Sequence, residues 1–422
     1  MKTVIKGAKY YTPQGSKCGD VAIEDGRIVA VQSQITPSHE DRVIDVQGGY
    51  LLPGLVDVHV HLREPGFANK ETILTGTKAA ARGGFTTVFS MPNLYPAPDS
   101  VETLKLQTDI IERDAVIEVI PYSSITMGQM GKGELVDFEA MAPMVGGFSD
   151  DGRGVQSAEL MAQAMDMAAK VNRPIVAHCE VDELLHGGYI HDGEYCREHG
   201  HKPNCSQSEW GQVVRDMALV EEAGCQYHAC HLSTKESVEA IRQAKLKGLR
   251  VSCETAPHYL LLTDADLREE GRFKMNPPIR SAEDQLALLN GVVDGTVEII
   301  ATDHAPHTAE EKGSGLATSA FGIVGIESSF ALCYTYLVRR GVISMERLVE
   351  LMAVNPRRIF SLQSVSIEVG SVADLAVFDL DAEYTIDPEE FASKGKATPF
   401  EEWRVCGRTM LTMVGGDVVY QN

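Results

Sequence analysis

The stretch LVDVHVHLREPG, residues 55–66, places two histidines at alternate positions directly after an apolar run. In a strand, where side chains alternate between faces, His59 and His61 point to the same side. Two adjacent imidazoles lose hydration when buried, and binding of a metal ion is the usual compensation. A pair of solvated histidines at a strand end is the alternative, and the spacing alone does not decide between the two.

Further histidines and aspartates follow other apolar runs of the chain. They occur in FSDDG, AHCE, CHLST and ATDHAPH, as Asp150, Asp151, His178, His231 and Asp303. Each lies where a predicted strand ends, and the catalytic side chains of α/β barrels converge at the carboxyl ends of the strands. Burial of so many imidazoles and carboxylates without partners would be costly, so the repeated pattern favours a metal centre.

The segments that position these residues alternate between strand-like and helix-like patterns, from Pro53 to about Asn355. The predicted strands are Gly54–Leu62, Thr86–Met91, Val116–Tyr122, Met144–Ser149, Pro174–Cys179, Gln226–His231, Arg250–Thr255 and Val297–Thr302. The helix-like stretches between them include Glu71–Arg82, Ser157–Val171, Glu209–Ala223, Ser233–Lys247 and Glu283–Val293. This order predicts an α/β protein with a (β/α)8 TIM barrel. A doubly wound sheet is disfavoured because no glycine-rich phosphate-binding turn follows any strand.

The two ends of the chain have a different residue pattern, which predicts strands and no helix. Residues 1–52 and 357–422 contain short β-like runs separated by glycine turns. We therefore predict that both ends form one small β-sandwich domain, and that residues 53–356 form the metal-dependent catalytic barrel.

The number of candidate ligands bears on the chemistry. Four histidines and two aspartates exceed the three protein ligands that one catalytic zinc usually keeps, so they predict two divalent ions. A carboxylate shared by both would hold them about 3.5–4 Å apart, and a shared water would supply hydroxide near neutral pH. Asp303 is placed to take the proton of that water and return it to a leaving nitrogen. The predicted reaction is hydrolysis of an amide-like bond, or its reversal.

Composition narrows the class of protein. The chain has 422 residues, of which 44% are hydrophobic and 23% charged, as in soluble globular proteins. A net charge of −22 argues against nucleic acid or an anionic membrane as a partner. The first residues lack a signal-peptide pattern, and no run of about 18 apolar residues predicts a membrane span. Nine cysteines without a CxxC pair indicate reduced thiols in a cytoplasm, and Cys179 and Cys230 should alternate with the histidines and face the core.

Seven motifs together resemble those of one enzyme family. DVHVHLREPG, SMPN, FSDDG, AHCE, CHLST, MNPPIR and ATDHAPH resemble the dihydroorotases, specifically the bacterial cyclic amidohydrolases of type I, over essentially the whole chain. The resemblance implies zinc-dependent, reversible cyclisation of N-carbamoyl-L-aspartate to L-dihydroorotate in pyrimidine synthesis. The expected partner is this small-molecule substrate, and a homodimer is expected.

The resemblance also implies which residues bind the metals. One zinc ion would be bound by His59, His61 and Asp303, the other by His178 and His231, and Asp151 would bridge the two. Many relatives use a carboxylated lysine as the bridge, and this chain has no lysine in MVGGFSDDGRG. Asp150 is the alternative bridge, and family position favours Asp151.

Substrate-binding residues are implied in the same way. They are Arg63, Asn93 and His307 near the substrate carboxylate, Asn276 at the ring, and in the same pocket His61 and the backbone of Phe321 and Gly322. A planar, bidentate guanidinium suits a carboxylate, which supports the assignment of Arg63. The alternative for Arg63 is a salt bridge with Glu64 or Glu71.

Three other features lie outside the set of predicted ligands and substrate-binding residues. The His- and Cys-rich stretch 191–205 has no zinc-module spacing and is predicted to be a surface excursion. His258 is given a packing or supporting role. The Gly- and Ser-rich stretch 307–322 is predicted to be a mobile lid.

Two other functions fit part of the pattern. A hydantoinase or allantoinase would lack Arg63 and Asn93 as carboxylate-binding residues. A non-catalytic scaffold subunit should have lost metal ligands, whereas all six are present here.

Overall fold

The computed structural model describes residues 2–422, and the two ends of the chain meet in one β-sheet. Its eight strands are Thr3–Thr12, Gly15–Glu24, Arg27–Gln32, Arg42–Asp45, Tyr50–Pro53, Leu375–Thr385, Arg404–Val414 and Asp417–Gln421. Tyr50–Pro53 pairs with Leu375–Thr385 in antiparallel register, Leu52 opposite Ala376, which joins the two ends. A sheet domain built from both termini is thereby confirmed. Its strands form one hydrogen-bonded sheet, and the division into the two layers of a sandwich stays a prediction.

In the sequence, the residues between the two parts of this sheet domain form a ring of parallel strands. The strands are Leu55–Val60, Phe85–Ser90, Glu118–Pro121, Ile175–Ala177, Tyr227–Ala229, Val251–Thr255 and Ile299–Ile300. Phe148 forms isolated bridges to Ser123 and Ile175, and His304 forms one to Val60, so the pairing returns to the first strand. Parallel strands in a ring, with helices between them, define an α/β barrel.

The fourth predicted strand, Met144–Ser149, holds its place in the ring through backbone hydrogen bonds of residues 146–149 to both neighbouring strands, but it is not a regular strand. Residues Ala142–Met144 form a 3-10 turn, and only Phe148 makes strand-like bridges. Two glycines explain the irregular backbone, because a Cβ at Gly146 would lie 2.5 Å from the Phe89 ring and one at Gly147 2.9 Å from Pro174 O. The chain approaches its neighbours more closely here than a residue with a side chain would permit.

Six helices of ten or more residues cover the barrel, and most begin at a capping side chain. They are Ile73–Arg82, Val101–Asp114, Ala158–Lys170, Gln207–Ala223, Lys235–Leu246 and Ala282–Asp294. Thr72, Ser100 and Ser281 form capping boxes that satisfy the free N–H groups of the first turn. Shorter helical pieces are Phe138–Met141, Glu194–His199, Pro257–Leu261, Ala309–Lys312, Gly315–Thr318, Ser329–Cys333, Tyr334–Val338, Met345–Val349, Glu350–Val354 and Asn355–Ile359. Among residues 2–422, no helix combines the length and apolar character that a membrane span requires.

The connection from Leu375–Thr385 to Arg404–Val414 leaves the terminal sheet and packs on the barrel. In it, the Ser393 hydroxyl donates to Glu71, which follows the first barrel strand. Ala397 O accepts a 2.9 Å hydrogen bond from Val324 N, beyond the last barrel strand. The sheet domain therefore contacts two of the loops that surround the carboxyl ends of the strands.

Candidate active site and metal centre

Six predicted ligands meet at the carboxyl ends of the barrel strands. All six are less than one-tenth exposed: His59, His61, Asp151, His178, His231 and Asp303. His59 lies near the end of Leu55–Val60, and His178 directly follows Ile175–Ala177. Strands distant in sequence thus bring their polar ends into one buried cluster.

Backbone geometry helps to aim two of these side chains. His231 and Asp303 have φ angles of +33° and +47°, in the left-handed region that residues with a side chain seldom adopt. Arg63 is similar, with φ of +61°. Such conformations cost free energy and concentrate at functional sites, where the surrounding structure enforces them.

The distances between ligand atoms fit shared metal ions. His59 Nε2 lies 3.5 Å from Asp151 Oδ1 and 3.5 Å from Asp303 Oδ1, and His61 Nε2 lies 3.1 Å from Asp303 Oδ1. Two atoms bound to one zinc at about 2.1 Å in tetrahedral directions are about 3.4 Å apart. His59 Nε2 and Asp151 Oδ1 are also buried without any hydrogen-bond partner, as expected of atoms that bind an ion.

A second group of donors also lies next to Asp151. His178 Nδ1 and His231 Nε2 lie 3.6 and 3.5 Å from Asp151 Oδ1, and 3.0 Å from each other. Asp151 is therefore common to two possible metal-binding groups, His59–His61–Asp151 and Asp151–His178–His231. The donors fit two divalent ions with a carboxylate between them.

Asp150, the alternative bridge, is engaged elsewhere. Its carboxylate accepts hydrogen bonds from Ile125 N at 2.8 Å, Thr126 N at 3.2 Å and Gly131 N at 3.0 Å. The Thr126 hydroxyl donates to it as well, at 2.5 Å. Asp150 thus anchors the loop before it, which supports Asp151 as the bridge.

Sequence reasoning missed a buried carboxylate beneath the cluster, Glu254. It accepts from His59 Nδ1 at 2.7 Å and from His228 Nε2 at 3.1 Å. Although burial alone would raise it, the two imidazoles lower the pKa of Glu254 to about 2. With Nδ1–H donated to Glu254, His59 keeps the Nε2 lone pair for a metal. The signal available in the sequence was an acidic residue in the otherwise uncharged strand VSCET.

One of the two cysteine predictions was wrong. Cys179 faces outward and contacts the Tyr227 hydroxyl at 3.2 Å, as predicted. Cys230 instead points into the barrel, where its sulfur lies within 4.8 Å of ligand atoms of His59 and Glu254. The alternation expected from a regular strand breaks at His231, whose left-handed backbone turns that side chain to the same side. Burial raises the pKa of the Cys230 thiol, which keeps it a protonated core group.

A cavity of about 400 Å³ opens directly above the ligand cluster. The predicted substrate-binding residues all line it: His61, Arg63, Asn93, Asn276, His307, Phe321 and Gly322. Gly322 has φ of +124°, and a Cβ there would lie 2.7 Å from Ala305 O. Only glycine fits this wall without displacing the chain.

Arg63 has no acidic partner among the residues that the structure describes. Its guanidinium donates to Pro306 O at 3.2 Å and contacts His307 Nε2 at 3.2 Å. The alternative partners are engaged elsewhere, since Glu64 accepts from Ile73 N and Glu71 from Ser393. Burial lowers the pKa of Arg63 to about 10, the effect of a cation that lacks a close counter-charge.

His307 orients this guanidinium. Arginine only donates, so His307 Nε2 must accept, and the ring proton lies on Nδ1, 3.2 Å from Glu311 Oε2. Burial, with Arg63 and Lys70 nearby, lowers the pKa of His307 to about 3, so its ring is neutral. His307 thus holds Arg63 toward the cavity.

The predicted lid, residues 307–322, is tied to the barrel by a buried lysine. Lys312 is 7% exposed, and its ammonium donates to Lys274 O at 3.0 Å and Ala320 O at 2.7 Å. Gly322 N also donates to Lys274 O, at 3.1 Å. These bonds hold the Phe321–Gly322 backbone against the cavity, and the mobility of the segment stays a prediction.

Two other expectations concerned groups outside the cluster. In residues 191–205, His201 contacts Glu269 at 2.6 Å and Tyr189 at 2.9 Å, and no metal-binding group is found there within the described chain. His258 is buried next to Tyr259 with Nε2 unpaired, and burial lowers its pKa to about 4. A packing role for His258 is consistent with both observations.

Solved structures with the same architecture define the class of enzyme. An L-hydantoinase (dihydropyrimidinase) from Arthrobacter aurescens superimposes with a TM-score of 0.88 and 26% identity, over 99% of this chain and 96% of that one. A D-hydantoinase (dihydropyrimidinase) from a Thermus species gives 0.86 and 26%, over 99% and 94%. Together with the His and Asp cluster, these similarities make the protein a cyclic amidohydrolase with the TIM-barrel fold and a sheet domain at its termini.

Sequence relatives narrow the class to a family. A model of the dihydro-orotase-like family matches residues 48–237. A dihydroorotase from Fusobacterium nucleatum is 50% identical over 402 residues, 95% of this chain and 94% of the relative. One from Anoxybacillus flavithermus is 46% identical over 424 residues, 100% of this chain and 99% of the relative. The chain belongs to the dihydroorotase family.

Proposed function

We propose that this enzyme interconverts N-carbamoyl-L-aspartate and L-dihydroorotate, the ring-forming step of pyrimidine biosynthesis, with two zinc ions bridged by Asp151. The observation that carries the proposal is the unpaired guanidinium of Arg63 beside the ligand cluster. A cavity that combines metal ligands with a cation lacking a counter-charge suits a ring that carries one carboxylate.

Each group of the chain has a definite task in this reaction. His59, His61 and Asp303 would hold one zinc ion, and His178 and His231 the other. Zinc bound there would activate water at neutral pH and polarise the ring carbonyl. Asp303 lines the cavity and moves the proton between the water and the ring nitrogen. Although burial opposes it, the His59 and His61 imidazoles hold the pKa of Asp303 well below its ordinary value.

The remaining residues bind the substrate. Arg63 would pair with the carboxylate through two N–H groups. Asn93 is anchored by a 2.7 Å hydrogen bond from its Nδ2 to Asp151 O, which leaves its second N–H for the same carboxylate. Asn276 and the backbone of Phe321 and Gly322 would contact the ring.

One assay separates this function from its alternatives. The zinc-loaded enzyme should turn over dihydroorotate and should have much lower kcat/KM on hydantoin and allantoin. Preference for hydantoin or allantoin would indicate another cyclic amidohydrolase, and absence of turnover with bound zinc would favour a scaffold subunit.

The assembly and the domain limits are proposals as well. We infer a cytoplasmic homodimer, with all nine cysteines as free thiols, and sedimentation equilibrium tests the dimer. The proposed limits are residues 1–52 and 357–422 for the sheet domain, and 53–356 for the barrel.

A further inference from the structure

The side-chain amide of Asn276 lies between the substrate cavity and a buried carboxylate. Its Nδ2 donates a 3.0 Å hydrogen bond to Glu180 Oε1, and Asn276 also lines the cavity. Neither sequence motifs nor family membership assigned a role to Glu180.

The chemistry of the two groups fixes which end of the amide faces the cavity. An ionised carboxylate only accepts hydrogen bonds, so the nitrogen of Asn276 must face Glu180. The carbonyl oxygen Oδ1 is then directed away from Glu180, and it forms no hydrogen bond with any described residue. The cavity therefore receives a free acceptor from Asn276.

Glu180 is rigidly placed for this purpose. Glu180 is 8% exposed. Its backbone N–H donates to Gln212 Oε1 at 3.0 Å, and its backbone carbonyl accepts from Gln156 Nε2 at 2.9 Å. Its second carboxylate oxygen lies 3.6 Å from His178 Nε2. The Asn276 amide donates the hydrogen bond to this carboxylate, and rotation of that amide would set one oxygen against another.

We propose that Glu180 is a specificity-determining residue that holds Asn276 with its oxygen toward the substrate, so that Asn276 accepts a hydrogen bond from a ring N–H. The inference rests on the proposed function and extends it. It defines the substrate class as cyclic amides that carry an unsubstituted N–H at the position facing Asn276. A ring alkylated at that nitrogen would leave the Asn276 oxygen unpaired in the cavity.

The test compares dihydroorotate with its two mono-N-methyl derivatives in the wild-type enzyme and in Glu180→Gln. In the wild type, one of the two derivatives should show a much lower kcat/KM than the parent. The amide introduced by Glu180→Gln can donate to Asn276 Oδ1, so the Asn276 amide is free to turn. The kcat/KM for the parent should then fall roughly tenfold, the loss expected for one hydrogen bond and its unpaired partner, while that for the discriminated derivative stays the same.

Two further variants calibrate the result. Asn276→Ala removes the acceptor and should lower the same selectivity ratio. Glu183→Gln makes the same chemical change at an exposed position outside the substrate cavity and should leave the ratio unchanged. Zinc content, measured for every variant, should stay at the wild-type value.

Each other outcome has a defined meaning. An unchanged ratio in Glu180→Gln, or equal turnover of all three rings by the wild type, would overturn the proposal. Loss of zinc from Glu180→Gln without loss of selectivity would also overturn it and make Glu180 a support of His178. Wild-type enzyme that fails on dihydroorotate itself would refute the proposed function instead.

Discussion

Replacement of Arg63 by alanine tests how the enzyme recognises its substrate. In the free enzyme the guanidinium contacts only neutral acceptors, Pro306 O and His307 Nε2, both at 3.2 Å. The substrate carboxylate would therefore be its only close anionic partner. Arg63 is not among the metal-binding groups, so the variant should keep its metals.

The expected loss follows from the environment of this pair. Removal of one half of a desolvated, hydrogen-bonded charge pair costs about 2–5 kcal/mol. This corresponds to a fall in kcat/KM on dihydroorotate of roughly 30-fold to several thousand-fold. Arg63→Lys keeps the charge but loses the planar pair of donors, so it should recover only part of the loss.

The assay pairs dihydroorotate with dihydrouracil, the same ring without the carboxylate. Arg63→Ala should leave the weak activity on dihydrouracil nearly unchanged. Arg113→Ala is a matched control, because Arg113 is an exposed arginine that is paired with Asp114 at 2.6 Å and does not line the cavity. It should change kcat/KM only about threefold or less, as for a pair near the surface. If Arg63→Ala loses both activities in proportion, Arg63 maintains the structure of the active site and does not bind the substrate carboxylate.

Four further changes test other parts of the structure. Asp303→Asn should lower kcat/KM by about 10²–10⁴ with the zinc content unchanged, and a zinc-loaded variant that keeps the wild-type rate would exclude Asp303 as the acid–base. Chelation should inactivate the enzyme, and zinc should restore it without bicarbonate because Asp151 needs no CO₂; a bicarbonate requirement would reveal a modified lysine. Glu254→Gln should weaken zinc binding about 10- to 100-fold in a competition titration, and unchanged affinity would contradict its role. Burial, with Lys274 nearby, lowers the pKa of Lys312 to about 7 from 10.5. Between pH 7 and 10.5 the unfolded chain therefore binds more protons than the folded one. The free energy of unfolding of the wild type, measured in urea titrations relative to that of Lys312→Met, should then rise with pH across this window. A difference between the two proteins that does not change with pH would refute the shift.

The features that could be predicted from sequence are those that repeat at strand ends. His178 follows a short apolar strand, and regular alternation suffices to place it among the ligands and Cys179 on the other face. His231 was placed correctly, but Cys230 was not, because a left-handed residue interrupts the alternation between them. A single φ angle is set by the packing around it and leaves no periodic trace in the sequence.

Contacts between distant segments account for the rest. Glu254 was missed because its partner, His59, is distant in the sequence and comes into contact with it only when the barrel forms. The fourth strand was predicted to be regular, but Gly146 and Gly147 pack closely against Phe89 and Pro174, which are distant in the sequence. Tertiary packing of this kind overrides local strand preference.

The pairing of Tyr50–Pro53 with Leu375–Thr385 constrains the order in which a nascent chain can fold. The first five strands leave the ribosome early, but the strand that completes their sheet follows only after the whole barrel has been synthesised. Until then, Tyr50–Pro53 presents the unpaired N–H and C=O groups of an open edge, which is prone to association with other chains. The N-terminal strands thus depend on the last part of the polypeptide, and a chain terminated before Leu375 would be an aggregation-prone fragment rather than a smaller enzyme.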